Sequence, residues 1–219
     1  RPFDMNEVRL RLAASAASKE RRLAAALGAR APGAHLAQAV RREQAAGSHA
    51  LSGLPEGGVE ALLRAASAVD PAAPLTVEAL LVWQREATGA RGFRSRAAER
   101  PGGTPPAPPE FITGRLAIFE QWMNAPSAAE LTASQQGALA LARIVELKPF
   151  EDGNGRVSRL AASHLMVRAG ARPPILLAAD GARLTQALQA AFQLHTEPLA
   201  ALLEEAAERA LDLMIREAE

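Results

Sequence analysis

The sequence predicts an all-α protein, and three observations carry that prediction. Hydrophobic residues make up 48% of the 219, much of it alanine, while aromatics reach only 4% and tyrosine is absent. Small apolar residues of this kind favour closely packed helices over sheet. Apolar positions recur at three- and four-residue spacing in successive segments, and Gly and Pro collect between those segments.

Residues 4–27 and 34–47 read as two alanine-rich helices with arginines on their outer faces. A Gly/Ser/Pro-containing stretch from Gly47 to Gly58 is expected to interrupt them, and two further helices follow at about 59–69 and 75–88. Residues 89–109 lose the period and become rich in Gly, Pro and Arg, which predicts a loop with room for a short β-hairpin between Gly92 and Arg100. Ile112, Leu116, Phe119 and Met123 restore helical spacing, and Ser127 with Glu130 reads as a capping box for the next helix. From Ala138 to Leu147 that helix is apolar nearly all round, as a buried central helix would be. Val157, Leu160, Ala161 and Leu165 form one further stripe. Two closing helices carry Leu184, Leu188 and Phe192, then Leu199, Leu202, Leu203, Ala206 and Ala210. No repeat and no second core is visible.

Composition excludes several classes. The net charge is +1 with both signs dispersed, so no nucleic-acid-binding tract is expected. Cysteine is absent, which removes disulfides and thiolate metal sites. No apolar run approaches membrane-spanning length, and Arg1-Pro2-Phe3-Asp4 is no signal peptide. A cytoplasmic location is therefore expected, with a secreted effector as the alternative. The first residue is not methionine, which leaves room for a native start upstream.

The chemistry concentrates in Lys148-Pro149-Phe150-Glu151-Asp152-Gly153-Asn154-Gly155-Arg156-Val157-Ser158-Arg159. Pro149 cannot continue the helix before it. Gly153-Asn154-Gly155 allow backbone amides to converge on an anion. Arg156 and Arg159 lie one turn apart on a new helix and leave the same face. Helix-start amides, the positive dipole end, two arginines and the metal-capable carboxylate of Asp152 together describe a polyphosphate site.

This segment resembles the signature of the Fic family, His-Pro-Phe-x-(Asp or Glu)-Gly-Asn-Gly-Arg-x-x-Arg, at every specified position but the first, where Lys148 stands for histidine. The resemblance runs from about residue 90 to 205. Gly92-Phe93-Arg94 is similar to the family's lead into a target-docking flap, and Pro173-Pro174 and the helix after Asp180 match later landmarks. It implies a Fic-fold core at 90–205, preceded by an N-terminal helical region at 1–89 and followed by the end of the C-terminal helix at 206–219. It further implies ATP or another nucleotide as donor and Mg²⁺ at Asp152. The turn Gly153, Asn154 and Gly155 would cradle the phosphates through backbone amides, with the Asn154 side chain on a phosphate oxygen, Arg156 on the transferring group and Arg159 on the terminal phosphate. Phe150 would be a core anchor. A target protein would dock near 92–100, and a homodimer is a further candidate assembly.

Lys148 falls where the family's general base stands. Imidazole suits that work because its ordinary pKa is near 6.5, whereas a lysine amine starts near 10.4 and must first lose a proton. Lysine at this place reads as a phosphate clamp or an atypical base. His164 lies roughly 15 Å along a helix from Asn154, too far to substitute, and reads as a packed core histidine. His195 reads as a surface or packing residue, His35 has no motif around it, and His49 alone has a conceivable route to the site.

Many members of the family carry an inhibitory (Ser or Thr)-x-x-x-Glu-(Gly or Asn) helix. Ser52–Gly57 matches it with Ser52 and Glu56, although Pro55 would break such a helix. A second register, Ser48–Gly53, puts Ser52 where glutamate belongs. A plain helix–loop–helix turn is the third reading. The resemblance implies a protein adenylyltransferase moving AMP or a related phosphate-linked group to a protein hydroxyl, reduced or altered by Lys148. The alternative is a pseudoenzyme that binds nucleotide or protein without turnover.

Overall fold

The computed structural model describes residues 5–54, 58–100 and 103–219, and every regular element among them is helical. In chain order the helices are α1 (Met5–Leu27), α2 (Ala34–Leu51), α3 (Val59–Ser67), α4 (Val77–Thr88), α5 (Ile112–Met123), α6 (Pro126–Ala129), α7 (Ala133–Leu147), α8 (Asn154–Arg168), α9 (Gly181–Phe192) and α10 (Glu197–Ala218). Short 3₁₀ turns precede α5 and α9.

Helices α7 and α8 form the centre, as the apolar run before Lys148 predicts. Ala138, Ala140, Leu141 and Ile144 of α7 are buried together with Val157, Ala161, Ala162, Leu165 and Met166 of α8. On one side of this pair lies a core supplied by α3, α4 and α5, including Leu80, Trp83, Ile112 and Leu116. On the other lies a core supplied by α9 and α10, including Leu184, Leu199, Leu202 and Leu203. A third cluster ties α1 and α2 to the end of α10 through Leu23, Leu36, Val40, Leu211 and Met214. The turn joining α7 to α8 thus sits on a rigid frame.

Three local expectations need correction. The helix read as 34–47 continues to Leu51, because Gly47 is a packing residue rather than a break. A Cβ there would lie 1.7 Å from the Leu176 carbonyl oxygen, so only glycine permits α2 to approach that strandless segment. The capping box at the start of α7 is made by Thr132 and Gln135. Ser127 comes too early for that role, because Pro126 opens a short helix of its own with Ser127 inside it.

The third correction concerns the hairpin expected between Gly92 and Arg100: no strand is present among the described residues. The loop is pinned by buried arginine instead of by a ladder. Arg94, 3% exposed, donates to the carbonyls of Lys148 (2.6 Å), Arg96 (2.8 Å), Leu147 (3.4 Å) and Ala107. Arg100 donates to Val145 (3.0 Å) and Glu146 (2.5 Å) and lies over the Phe192 ring. Two guanidiniums therefore satisfy the last carbonyls of α7 and oppose the negative end of its dipole.

Candidate phosphate-binding turn

Helix α7 ends at Lys148, which takes a left-handed conformation (φ 47°, ψ 61°). That is unusual for a side chain with a Cβ and is stabilised here by surrounding contacts. The Lys148 amide donates to the Ile144 carbonyl, its own carbonyl accepts from Arg94, and its Nζ donates to the Glu99 carbonyl at 3.3 Å. Phe150 follows, fully buried, with its ring stacked on Phe93 at 5.9 Å between centroids. The Arg94 amide also donates to the Pro149 carbonyl at 2.9 Å. Residues 93 and 94 are thereby packed onto the turn as one unit.

The turn closes through Asn154. Its Oδ1 accepts from the Phe150 amide at 3.0 Å, and its Nδ2 donates to the Phe150 carbonyl at 2.8 Å. The sequence reading placed this side chain on a phosphate oxygen. In the structure both ends of the amide are engaged within the turn, so it shapes the cradle from behind. Gly153 supplies the left-handed residue before α8 (φ 89°), and a Cβ there would lie 2.6 Å from the Thr88 methyl carbon. No side chain caps the start of α8. Its first amides consequently remain for an external acceptor at the positive end of the helix dipole.

Two arginines flank those amides in different electrostatic states. Arg156 is 7% exposed and donates to Asp152 Oδ2 at 2.8 Å and to the Ala87 carbonyl at 3.0 Å. Asp152 itself is exposed, and its Oδ1 accepts from the Gly153 amide at 2.7 Å. Among the described residues, no carboxylate pairs with Arg159. Its Nε donates to Ser48 Oγ at 2.8 Å, and one terminal nitrogen donates to the Ser48 carbonyl at 2.8 Å and to Ser52 Oγ at 2.7 Å. Burial, with Arg156 close by, pushes its pKa down to about 10, so it stays charged at neutral pH. A desolvated guanidinium whose described partners are all neutral oxygens is a strong attractor for an anion.

The structure thus brings Lys148, Asp152, Gly153, Asn154, Gly155, Arg156 and Arg159 into one turn and helix start, and it brings Ser48 and Ser52 to them across more than a hundred positions of sequence. Ser48 and Ser52, first and fifth residues of the Ser48–Gly53 register, lie against Arg159. Glu56, the key residue of the other, lies outside the described residues. His164 is buried at 6% exposure, with Nε2 against the Ala73 carbonyl at 2.8 Å and its ring edge-on to Trp83, as a core histidine. His35 and His195 are exposed, and His49 lies against Gly58.

Sequence reasoning missed the part played by Arg94 and Arg100 in holding the end of α7, and of the Ala87 carbonyl in orienting Arg156. Arginines placed amid Gly and Pro just before α5 were the available signal for the first. Nothing in the sequence pointed to a backbone carbonyl.

Residues 74–166 match a family model described as the Fic/DOC family. The protein adenylyltransferase Fic of Drosophila virilis is 33% identical over 127 residues, covering 56% of this chain and 25% of that protein. A protein of the same name from Aedes aegypti is 33% identical over 114 residues, covering 52% of this chain and 23% of that protein. The chain therefore spans about a quarter of the length of these curated relatives. A Fic domain containing signaling protein from Bacteroides thetaiotaomicron shares the fold with a TM-score of 0.77 at 18% identity, over 93% of this chain and 97% of that one. Fic-1 from C. elegans does so with a TM-score of 0.74 at 19% identity, over 97% of this chain and 74% of that one. IbpAFic2, solved covalently tethered to Cdc42, aligns with a TM-score of 0.54 at 18% identity over 88% of this chain and 70% of that chain.

Proposed function

We propose that this chain, whose residues 74–166 match the Fic/DOC family model, binds the polyphosphate of ATP or a related nucleotide and belongs functionally with the protein adenylyltransferases. The observation that carries this reading is Arg159, a desolvated guanidinium with no counter-charge among the described residues, beside the uncapped start of α8. The relatives' name, protein adenylyltransferase Fic, supports the AMP-transfer class.

In this reading the amides of Asn154, Gly155 and Arg156 hold phosphate oxygens. Arg156 neutralises the transferring phosphate and Arg159 the terminal one. A hydroxyl oxygen of the target attacks the α-phosphorus, a new P–O bond forms, and pyrophosphate leaves. The loop near 92–100, anchored on the end of α7 through Arg94 and Arg100, is where the target docks. The tethered complex of IbpAFic2 with Cdc42 supports a protein as target.

Mg²⁺ fits the residues present. No three His, Asp or Glu side chains converge on a metal cage among the described residues. One exposed carboxylate, Asp152, suffices for an ion that keeps water and takes its other ligands from phosphates. Bound there, Mg²⁺ would supply charge neutralisation between phosphate groups.

The attacking hydroxyl must also lose a proton, and Lys148 is the residue at that end of the turn. With Nζ donating to the Glu99 carbonyl and Arg159 held by two serines, turnover is low or altered and nucleotide binding is the retained property. The same two contacts favour a second reading, a nucleotide- or protein-binding module without chemistry. Incubation with ATP and MgCl₂ followed by intact-mass measurement separates them. A gain of one AMP unit on the protein or a target supports transfer. Calorimetric binding without any adduct, for ATP, GTP and CDP-alcohol donors alike, supports the module. Absence of binding as well removes both the transferase and the nucleotide-binding module.

A further inference from the structure

The buried stripe of α4 is apolar at Ala79, Leu80, Trp83 and Ala87 and polar once, at Gln84. Gln84 is 1% exposed, yet its Oε1 is buried without a hydrogen-bond partner among the described residues. Buried side-chain oxygens are nearly always paired, because an unpaired one loses its hydration and gains nothing in return. An apolar side chain of similar volume would avoid that penalty, so the carboxamide stands there at the expense of stability.

The phosphate turn lies directly beside it. The point where a Cβ of Gly153 would stand has the Thr88 methyl at 2.6 Å, Gln84 Cγ at 3.9 Å and Arg156 Nη2 at 4.0 Å. The Thr88 hydroxyl donates to the Gln84 carbonyl at 2.7 Å, which ties both side chains to the same turn of α4. Arg156 is itself buried, so the donor nearest this buried acceptor is equally shielded from water.

In the free chain Arg156 does not use Gln84. Its Nη2 donates to Asp152 Oδ2 at 2.8 Å and its Nη1 to the Ala87 carbonyl at 3.0 Å. Asp152 is the exposed member of that pair and the carboxylate that fits Mg²⁺. A carboxylate drawn onto a cation releases its guanidinium, and the Ala87 carbonyl alone would then hold Arg156 on the protein side.

We infer that Gln84 is a positioning residue for Arg156: its Oε1 accepts from the guanidinium when Asp152 lets go, which keeps Arg156 aimed at the phosphates while Asp152 turns to the metal. The purpose of this hand-over rests on the nucleotide reading, but the hand-over itself is a property of the chain without ligand.

A double-mutant cycle in urea unfolding tests it ligand-free. Gln84→Met and Gln84→Leu both remove the acceptor at similar volume, so either can stand in where the other fails to fold. In the native chain the change should leave the urea midpoint unaltered or raise it, since no hydrogen bond of that side chain is lost. In Asp152→Ala, where Arg156 turns to Gln84, the same change should lower the midpoint. A glutamine that only packs would move both midpoints alike, and that result overturns the inference. Calorimetry with ATP adds a second readout. With MgCl₂, Gln84→Met should weaken binding about tenfold or more, the range for a hydrogen bond to a charged group, and much less in EDTA. The loss should vanish in Arg156→Ala, which has no guanidinium to hold; a loss that persists there overturns the inference. ATP that fails to bind the native chain overturns the nucleotide reading instead, and the urea cycle then decides for or against Gln84 by itself.

Discussion

Arg159 of α8 donates to Ser52 Oγ, just beyond the end of α2, at 2.7 Å. The hydroxyl occupies one donor of a charged group without compensating its charge. Ser48 engages the same guanidinium twice more. The contact is a restraint on geometry, not a neutralisation, and that sets its strength as a brake. Ser52→Ala should strengthen ATP binding only modestly, by about 0.5–1.5 kcal/mol, the net worth of an ordinary hydrogen bond. Ser52→Glu should weaken it about tenfold or more, because a carboxylate at this distance forms a charge-assisted pair. Calorimetry on the two variants decides; equal affinities would show that Arg159 takes no part in nucleotide binding.

Arg156→Ala should weaken nucleotide affinity by roughly 1.5–3 kcal/mol, the range for a lost hydrogen bond to a charged group. The variant also frees the Ala87 carbonyl and Asp152, so some loss of thermal stability should accompany it. Full affinity in the folded variant would remove the turn from consideration as the phosphate site.

Asn154→Ala tests a structural point. Two hydrogen bonds to the Phe150 backbone disappear, at a cost of about 1–3 kcal/mol of folding stability. Urea unfolding should show that loss without nucleotide present. A side chain reserved for phosphate would leave the stability of the free protein unaltered.

His164 makes stability pH-dependent. Burial lowers its pKa from the usual value near 6.5; the Ala73 carbonyl and Asp70 act in the opposite direction, and Arg168 adds to the lowering. The unfolded chain then takes up the proton first. His164 therefore contributes full stability above about pH 6.5, and the contribution drains as pH falls through its lowered folded-state pKa. Urea midpoints measured across this range should fall more steeply for the native chain than for His164→Gln. Parallel profiles would assign the acid sensitivity elsewhere.

The contrast between what was and was not legible follows the range of the interactions. The motif, the buried character of α7 and the packing of His164 are local patterns, and periodicity and residue type carry them. Gly47 misled because its meaning is set by the Leu176 carbonyl, more than a hundred residues away. The hairpin failed for the same reason. Arg94 satisfies carbonyls at Leu147 and Lys148, so the loop needs no partner strand. Asn154 is the instructive intermediate: its importance was visible in the motif, but its use on Phe150 was not. Ser48 lay in a register with no glutamate, and only the approach of α2 to α8 gave it a partner.

Lys148→His should raise adenylylation above the native level, on the protein itself or on a target, where the rest of the site is sound. Lys148 stands at the end of α7 in a left-handed conformation fixed by Arg94, so the exchange keeps the backbone and changes the functional group. A positioned base contributes about 10²–10⁴-fold. Imidazole at neutral pH can accept the hydroxyl proton, which an ammonium cannot. Intact-mass time courses with ATP and MgCl₂ provide the measurement. Should the native protein prove active and Lys148→His lower its rate, the lysine has chemistry of its own. The pH profile then divides two roles: rate that rises with pH marks a proton acceptor, and rate that falls marks a cationic clamp on the transition-state phosphate. Should neither protein modify anything while both bind nucleotide, the turn is a nucleotide-binding module and Lys148 is one of its phosphate-side cations.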